Sequence, residues 1–106
     1  MEVHFKDEAL RELYNTGSTK DRKYRNICKN ERLVKGYQRA VRSMYNSPST
    51  ETLKQLSFLH YEKLRYNNMS SVRIVNGQIE RLLFTESEDG IEVKLIEIDS
   101  THYGNK

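Results

Sequence analysis

SVRIVNGQIERLLF, residues 71–84, is the stretch that decides the fold of this chain. The dipeptide Asn76-Gly77 separates two runs of branched apolar residues, and this arrangement is a strong short-range signal of a β-hairpin. Two loop lengths compete in this hairpin. A two-residue loop pairs Arg73 with Glu80 and scatters the apolar side chains over both faces of the hairpin.

A three-residue loop with Gly77 in a bulge separates the two faces better. One face then carries Val72, Ile74, Leu82 and Phe84, and the other carries Ser71, Arg73, Val75, Ile79, Arg81 and Leu83. We favour this register because a one-residue slip moves every side chain to the opposite face, and this register concentrates the apolar residues. It predicts that Arg73 and Arg81 point the same way.

A further strand follows the turn at Asp89-Gly90, with Ile91, Val93 and Leu95 alternating with charged residues. The alternation changes phase at Leu95-Ile96, which places Ile96 and Ile98 on the other side. The phase change predicts a β-bulge or a strand buried on both faces.

The residues before the hairpin predict one strand and mainly helices. Val3 and Phe5 alternate with polar residues in a short strand, and a helix begins at Asp7 and ends at Gly17. Apolar spacings of three and four predict a long helix from Asp21 to Tyr45. Inside it, Gly36 marks a break or the close approach of another backbone.

Residues 50–59 are expected to form one or two helical turns with Leu53, Leu56 and Leu59 inward, and residues 60–68 an extended linker. The predicted order is β-α-α-β-β-β in a single domain spanning residues 1–106. The fold class is α+β, with the helices on one face of a small, mainly antiparallel sheet and the other face left for function.

The composition predicts a globular protein of the reducing cytoplasm. Cys28 is the only cysteine, no signal peptide is recognisable, and no apolar run is long enough to span a bilayer. The charge is uneven: residues 20–42 carry nine Lys or Arg against two acidic residues, and residues 86–99 carry one Lys against six. This asymmetry indicates a nucleic-acid partner on the basic side or, alternatively, a solvated helix face.

Four residues are candidates for chemistry on a phosphodiester. Guanidinium groups bind phosphate in a bidentate manner, so Arg73 and Arg81 are suited to stabilise a phosphorane. His102 titrates near neutral pH and, with Tyr103, follows the last strand. The alternatives are cross-strand pairing of the arginines with acidic neighbours, Glu80 or Glu92, and a frayed tail at the C terminus.

The surrounding residues suggest contacts with RNA. Lys63 and Arg65 extend the cationic face or are ordinary surface charges, and the tail ends in Lys106. Tyr61 and Tyr66 are expected to be exposed and able to stack on bases. No metal-ligand spacing and no cofactor motif is recognisable, so no metal and no cofactor is predicted.

The C-terminal half resembles the HigB branch of the RelE-like toxins, within the RelE/ParE superfamily. The residues that carry the resemblance are His60-Tyr61-Glu62-Lys63-Leu64-Arg65, Ser71-Val72-Arg73-Ile74, Arg81-Leu82-Leu83-Phe84 and the closing stretch from Ile96 to Tyr103. The order of elements also fits that family, although Tyr66 stands where the family has a glycine.

The resemblance implies an activity and partners. Such toxins cleave mRNA in the ribosomal A site without a metal, use the 2′-hydroxyl of the RNA as nucleophile, and are neutralised by an antitoxin, here a HigA-like one. By position, Arg81 and Arg73 match the family's basic residues, Arg65 its lysine, and His102 and Tyr103 its closing acid–base pair. An alternative function is a non-catalytic module of the same fold that binds RNA or an acidic protein through the basic residues 20–42.

Overall fold

A computed structural model describes residues 1–64, 68–75, 80–87 and 90–98, with the backbone alone at positions 95, 97 and 98. It confirms the α+β class. The α-helices are α1 (Glu8–Thr16), α2 (Arg25–Cys28), α3 (Glu31–Asn46) and α4 (Thr50–Lys54). The strands are β1 (Glu2–Phe5), β2 (Glu62–Lys63), β3 (Ser70–Arg73), β4 (Glu80–Glu86) and β5 (Gly90–Ile98).

The strands form one sheet in the order β1-β5-β4-β3-β2. β1 runs parallel to β5, and the other neighbouring pairs are antiparallel. The predicted linker over residues 60–68 is wrong in one respect, because Glu62 and Lys63 pair with Ser71 and Ser70 as an edge strand. Two paired residues are too few to show a strand periodicity in the sequence.

The register of the predicted hairpin is confirmed. Val72 pairs with Leu82 and Arg73 with Arg81, as the three-residue loop requires. The loop itself, with Gly77, lies outside the described residues.

A bulge is also confirmed between β4 and β5, where Leu83 pairs with Leu95 but Phe84 pairs with Val93. The extra residue is Lys94, and it returns Ile96 to the same buried cluster as Ile91 and Val93. The expectation that Ile96 faces the other side is therefore wrong, because the bulge corrects the phase of the alternation.

The predicted long helix from Asp21 to Tyr45 is wrong, because two helices and a 3-10 turn replace it. The turn covers Arg22–Tyr24 and leads into α2. The Asn30 side chain then accepts hydrogen bonds from the backbone N–H groups of Arg32 and Leu33. An asparagine in this role satisfies N–H groups that the first turn of a helix leaves unpaired, so α3 begins anew after Asn30.

The shorter helical segments agree with the sequence. Asp7 precedes α1, and Gly17 ends it in a left-handed conformation with φ of 82°. A 3-10 turn at Ser57–Leu59 follows α4. Leu53 and Leu59 are fully buried, whereas Leu56 is only partly buried.

The core lies between the helices and one face of the sheet. Its largest fully buried side chains are Tyr24, Tyr37, Phe84, Leu10, Leu13, Met44, Leu53, Leu59, Ile74, Leu82 and Ile91. The Tyr37 hydroxyl donates a hydrogen bond of 2.7 Å to the Leu10 carbonyl oxygen and so joins α3 to α1. The opposite face of the sheet carries the arginines of the hairpin.

Candidate functional site

The two arginines of the hairpin lie opposite each other on the sheet face that points away from the helices. Their neighbours in the strands, Val72 and Leu82, are register partners on the core face. Because successive side chains of a strand alternate between faces, Arg73 and Arg81 share the other one. Arg81 is only 7% exposed, and Arg73 is half-buried.

Arg81 is held by the neighbouring strands. Its guanidinium donates a short hydrogen bond to the Glu62 carboxylate and one of 2.6 Å to the Ser71 hydroxyl. Glu62 is the register partner of Ser71, so all three groups lie on the same face. The Glu62 side chain is 58% exposed, so the carboxylate remains accessible from solvent.

Glu62 is the member of the site that the sequence reasoning missed. The alternative partners named there were Glu80 and Glu92, and of these Glu92 pairs with Lys94 at 2.6 Å. A usable signal was the run Tyr61-Glu62-Lys63. If this run forms a strand, the Glu62 side chain points to the opposite face from those of Tyr61 and Lys63.

A second polar cluster lies on the helix-facing side of the same sheet edge. The Glu86 carboxylate accepts short hydrogen bonds from the hydroxyls of Tyr61 and Ser70, and its oxygen lies 3.8 Å from the Lys63 ammonium nitrogen. Lys63 pairs with Ser70, so it lies on the opposite face from Arg81. Of the two alternatives for Lys63, the structure therefore supports an ordinary surface charge rather than an extension of the cationic face.

The environment of Tyr61 also differs from the expectation of an exposed ring. The ring packs against Phe84 with centroids 6.1 Å apart, and the Lys54 ammonium lies 5.3 Å from its centroid. Burial and the bond to Glu86 raise the pKa of Tyr61 to about 12. Burial also works against ionisation of Glu86, but the bonds from Ser70 and Tyr61 and the nearby Lys63 outweigh it and lower the Glu86 pKa.

The remaining predicted site residues, His102, Tyr103, Arg65 and Lys106, lie outside the described residues, as does Tyr66. Within the described ranges, no helix is both long and apolar enough to cross a membrane. Those ranges also hold no group of three or more His, Cys, Asp or Glu side chains arranged to bind a metal ion.

Part of the basic stretch 20–42 forms a surface on α3. Arg32, Lys35 and Arg39 line a groove of 320 Å³ together with Gly36 and Val75. Lys35 forms an ion pair of 2.8 Å with Glu31, and the Arg39 guanidinium lies 5.0 Å from the centre of the Phe58 ring. This basic groove lies where α3 packs against Val75, just past the end of β3.

The arrangement on the helix-free face combines two guanidinium groups, a serine hydroxyl and an accessible carboxylate. Guanidinium groups bind the non-bridging oxygens of a phosphate, and a carboxylate can accept a proton. The site is therefore suited to a phosphodiester whose neighbouring hydroxyl must lose a proton.

The fold defines a class of small α+β protein in which one face of a five-stranded sheet is covered by helices. It is similar to the fold of a chain in the YoeB–YefM complex from Staphylococcus aureus. The TM-score is 0.55 over 92% of this chain and 94% of that chain, with 19% identical residues. No protein-family model matches the sequence, and no curated protein matches it.

Proposed function

We propose that this chain is the toxin of a toxin–antitoxin pair and an endoribonuclease that cleaves mRNA on the ribosome. The observation that carries the proposal is the register pairing of Arg73 with Arg81 on the helix-free face, beside the Glu62 carboxylate. The fold that the chain shares with a member of the YoeB–YefM complex and the RelE-like sequence motifs support it.

The proposed reaction uses the RNA's own 2′-hydroxyl as nucleophile. Its oxygen attacks the adjacent phosphorus while its proton passes to a base, and the bond from phosphorus to the 5′-oxygen breaks. The 5′-oxygen takes a proton from His102, which leaves a 2′,3′-cyclic phosphate and a 5′-hydroxyl. The Glu62 carboxylate is the proton acceptor that the geometry favours, because it is accessible and lies beside the cation that would hold the phosphate.

The arginines would stabilise the charge that builds up on the phosphorane. Arg81 already bonds Glu62 and Ser71, so its guanidinium is oriented before any substrate binds. Groups held in place in this way need no reorganisation during the reaction. Tyr103 is proposed to stack on a base.

Outside the proposed catalytic site, the proposed RNA contacts are Arg65, Lys63 and Lys106. Lys63 would reach a phosphate only along the edge of the sheet, because β2 turns it toward the helix side. Tyr61 is better explained as a support of that edge, because its ring packs on Phe84 and its hydroxyl is bonded.

The proposed protein partner is an antitoxin that covers the helix-free face or blocks entry to the ribosome. The complex named for the similar structure contains two proteins, YoeB and YefM. The sequence resemblance favours a HigA-like antitoxin, which would be a separate small protein.

The test is to induce the wild-type chain, Arg73→Ala and Arg81→Ala in bacteria while growth is scored and mRNA 5′ ends are mapped. Arrest of growth with codon-phased cuts by the wild type, lost in both variants, supports the proposal. Arg11→Ala is the matched control, because it removes an exposed arginine of α1 that belongs neither to the arginines of the hairpin nor to the basic stretch 20–42. Normal growth and intact mRNA with soluble, folded wild-type protein would contradict the catalytic proposal.

A second candidate function is binding of RNA or an acidic protein through the basic groove of α3. The observation that favours it is the lining of that groove by Arg32, Lys35 and Arg39. Under this function, charge reversal at Arg32 and Arg39 abolishes the effect on cells, and Arg73→Ala leaves it unchanged.

A further inference from the structure

Side-chain contacts on both faces of the edge strand β2 hold it against the sheet. Glu62 reaches Arg81 on the helix-free face, whereas the residues on either side of it reach Glu86 on the helix-facing side. Tyr61 bonds Glu86 through its hydroxyl, and Lys63 approaches it with its ammonium group. Each face of this edge therefore holds one carboxylate in a polar cluster.

The two adjacent serines of β3 each belong to one of these two polar clusters. Ser70 and Ser71 are both fully buried, and their side chains point to opposite faces of the sheet. The Ser70 hydroxyl donates to Glu86, and the Ser71 hydroxyl accepts from Arg81 at 2.6 Å. One side-chain cluster thus lies on each face of β2, and each cluster includes one serine of β3.

The backbone of β2 alone attaches this edge weakly. Among the described residues, Glu62 and Lys63 alone pair with β3 in the ladder, and a hydrogen bond of 2.8 Å from the Leu64 N–H to the Met69 carbonyl oxygen continues the pairing. A strand of two residues at a sheet edge opens at a small cost in free energy, because few backbone hydrogen bonds must break. Side-chain contacts must then supply much of the attachment.

We propose that Glu86 is a positioning residue for Glu62. By holding Tyr61 and Lys63, the two neighbours of Glu62, it fixes the short edge strand so that the Glu62 carboxylate stays against Arg81. The catalytic consequence rests on the proposed function, in which Glu62 accepts a proton. The positioning is a property of the folded chain and can be measured without any reaction.

The contacts of Glu86 explain why a carboxylate serves in this position. It is only 17% exposed and accepts from two hydroxyls, and Lys63 and Lys54 provide positive charge nearby. These bonds keep it ionised despite its burial, so it can accept from both hydroxyls at once.

The experiment compares Glu86→Ala and Tyr61→Phe with the wild type by NMR. The matched control is Glu31→Ala, which removes an exposed, ion-paired carboxylate on α3. Glu62→Gln serves as reference for an Arg81 side chain that has lost the charge of Glu62. The signals followed are those of the Arg81 guanidinium and of the backbone amide of Leu64.

In Glu86→Ala, the guanidinium signal of Arg81 should move toward that of Glu62→Gln. The Leu64 amide should exchange with solvent at least about ten-fold faster, while the Val41 amide in α3 keeps its wild-type rate. Tyr61→Phe should shift both signals in the same direction by less, because the bonds of Ser70 and Lys63 to Glu86 remain. If Glu86→Ala does not fold, Tyr61→Phe alone tests the proposal. An Arg81 guanidinium signal in Tyr61→Phe that matches the wild type then overturns it.

The proposal is overturned if the Arg81 signal in Glu86→Ala matches the wild type, whether or not the Leu64 amide exchanges faster. Faster exchange alone would show that Glu86 only stabilises the edge of the sheet. In mRNA cleavage on ribosomes, the same variant should lower kcat about ten-fold with KM within two-fold. If the wild type does not cleave, the proposed function fails, and the NMR result still decides the positioning role.

Discussion

Gly36 of α3 packs directly against Ile74, the residue that follows the end of β3. A Cβ atom added at Gly36 would lie 2.8 Å from the Ile74 Cγ2 and 2.9 Å from the Val75 Cγ2, and it would overlap the Ile74 carbonyl oxygen. The sequence left open whether this glycine breaks the helix or admits another backbone. The helix is continuous through Gly36, so the close approach of the Ile74 backbone explains why a glycine occupies this position.

Gly36→Ala should therefore destabilise the protein although alanine is the better helix former. The gain in helix propensity is about 1 kcal/mol. Overpacking against backbone and branched side chains costs up to about 3 kcal/mol, which leaves a net loss of up to about 2 kcal/mol. Chemical denaturation of Gly36→Ala beside Arg42→Ala, an exposed position of the same helix, measures the difference. A more stable Gly36→Ala variant would contradict the packing described here.

Tyr37→Phe should lower the free energy of unfolding by about 0.5–1.5 kcal/mol. The Tyr37 hydroxyl is buried and donates to the Leu10 carbonyl oxygen, and phenylalanine keeps the ring but loses this bond. Tyr45→Phe is the matched control, because the Tyr45 ring is 41% exposed. Equal effects of the two substitutions in urea denaturation would show that the bond between α1 and α3 contributes nothing measurable.

Arg81→Met should cost about 1–3 kcal/mol of stability, because the buried hydroxyl of Ser71 loses its donor. The Glu62 carboxylate contributes little to this cost, since it is accessible to water once the guanidinium is gone. Arg42→Met is expected to stay within about 0.5 kcal/mol of the wild type. A neutral Arg81→Met would mean that desolvation of the guanidinium cancels the bonds it makes.

The stability of the protein should fall as pH rises from about 10 to about 12. Burial raises the pKa of Tyr61 from the ordinary value of 10.0 to about 12, and it raises that of Tyr24 to about 12 as well. In this window the unfolded chain has lost tyrosine protons that the folded chain still holds, so deprotonation favours unfolding.

Tyr61→Phe should make this alkaline decline less steep, because one of the shifted groups is gone. Free energies of unfolding at several pH values between 9 and 12 test this, with Tyr45→Phe as control. An unchanged slope in Tyr61→Phe would be incompatible with the buried contact between Tyr61 and Glu86.

The sequence was a good guide where apolar side chains repeat with the period of a strand. The faces of the hairpin, and with them the shared side of Arg73 and Arg81, follow from the alternation of Val72, Ile74, Leu82 and Phe84. The break before α3 could not be read in this way, because Asn30 fits the polar side of a continuous helix as well as it fits a cap. Capping depends on backbone geometry that periodicity does not reveal.

The contact between Arg81 and Glu62 could not be predicted from the sequence for a different reason. Glu62 lies 19 positions away in the chain and on a strand of only two residues. Such a contact depends on which strand lies at the sheet edge, and periodicity alone does not specify that neighbour.

The parallel pairing of β1 with β5 sets the order in which the protein can be completed during its synthesis. Residues 2–5 are made well before their partners, residues 90–93, which belong to a strand in the interior of the sheet. A chain is made from its N terminus, so β1 has no partner strand to dock against until β5 has left the ribosome. Contacts between such distant segments slow folding. In the sheet that carries Arg81, β1 is therefore made before the other four strands and cannot dock before the last of them is made.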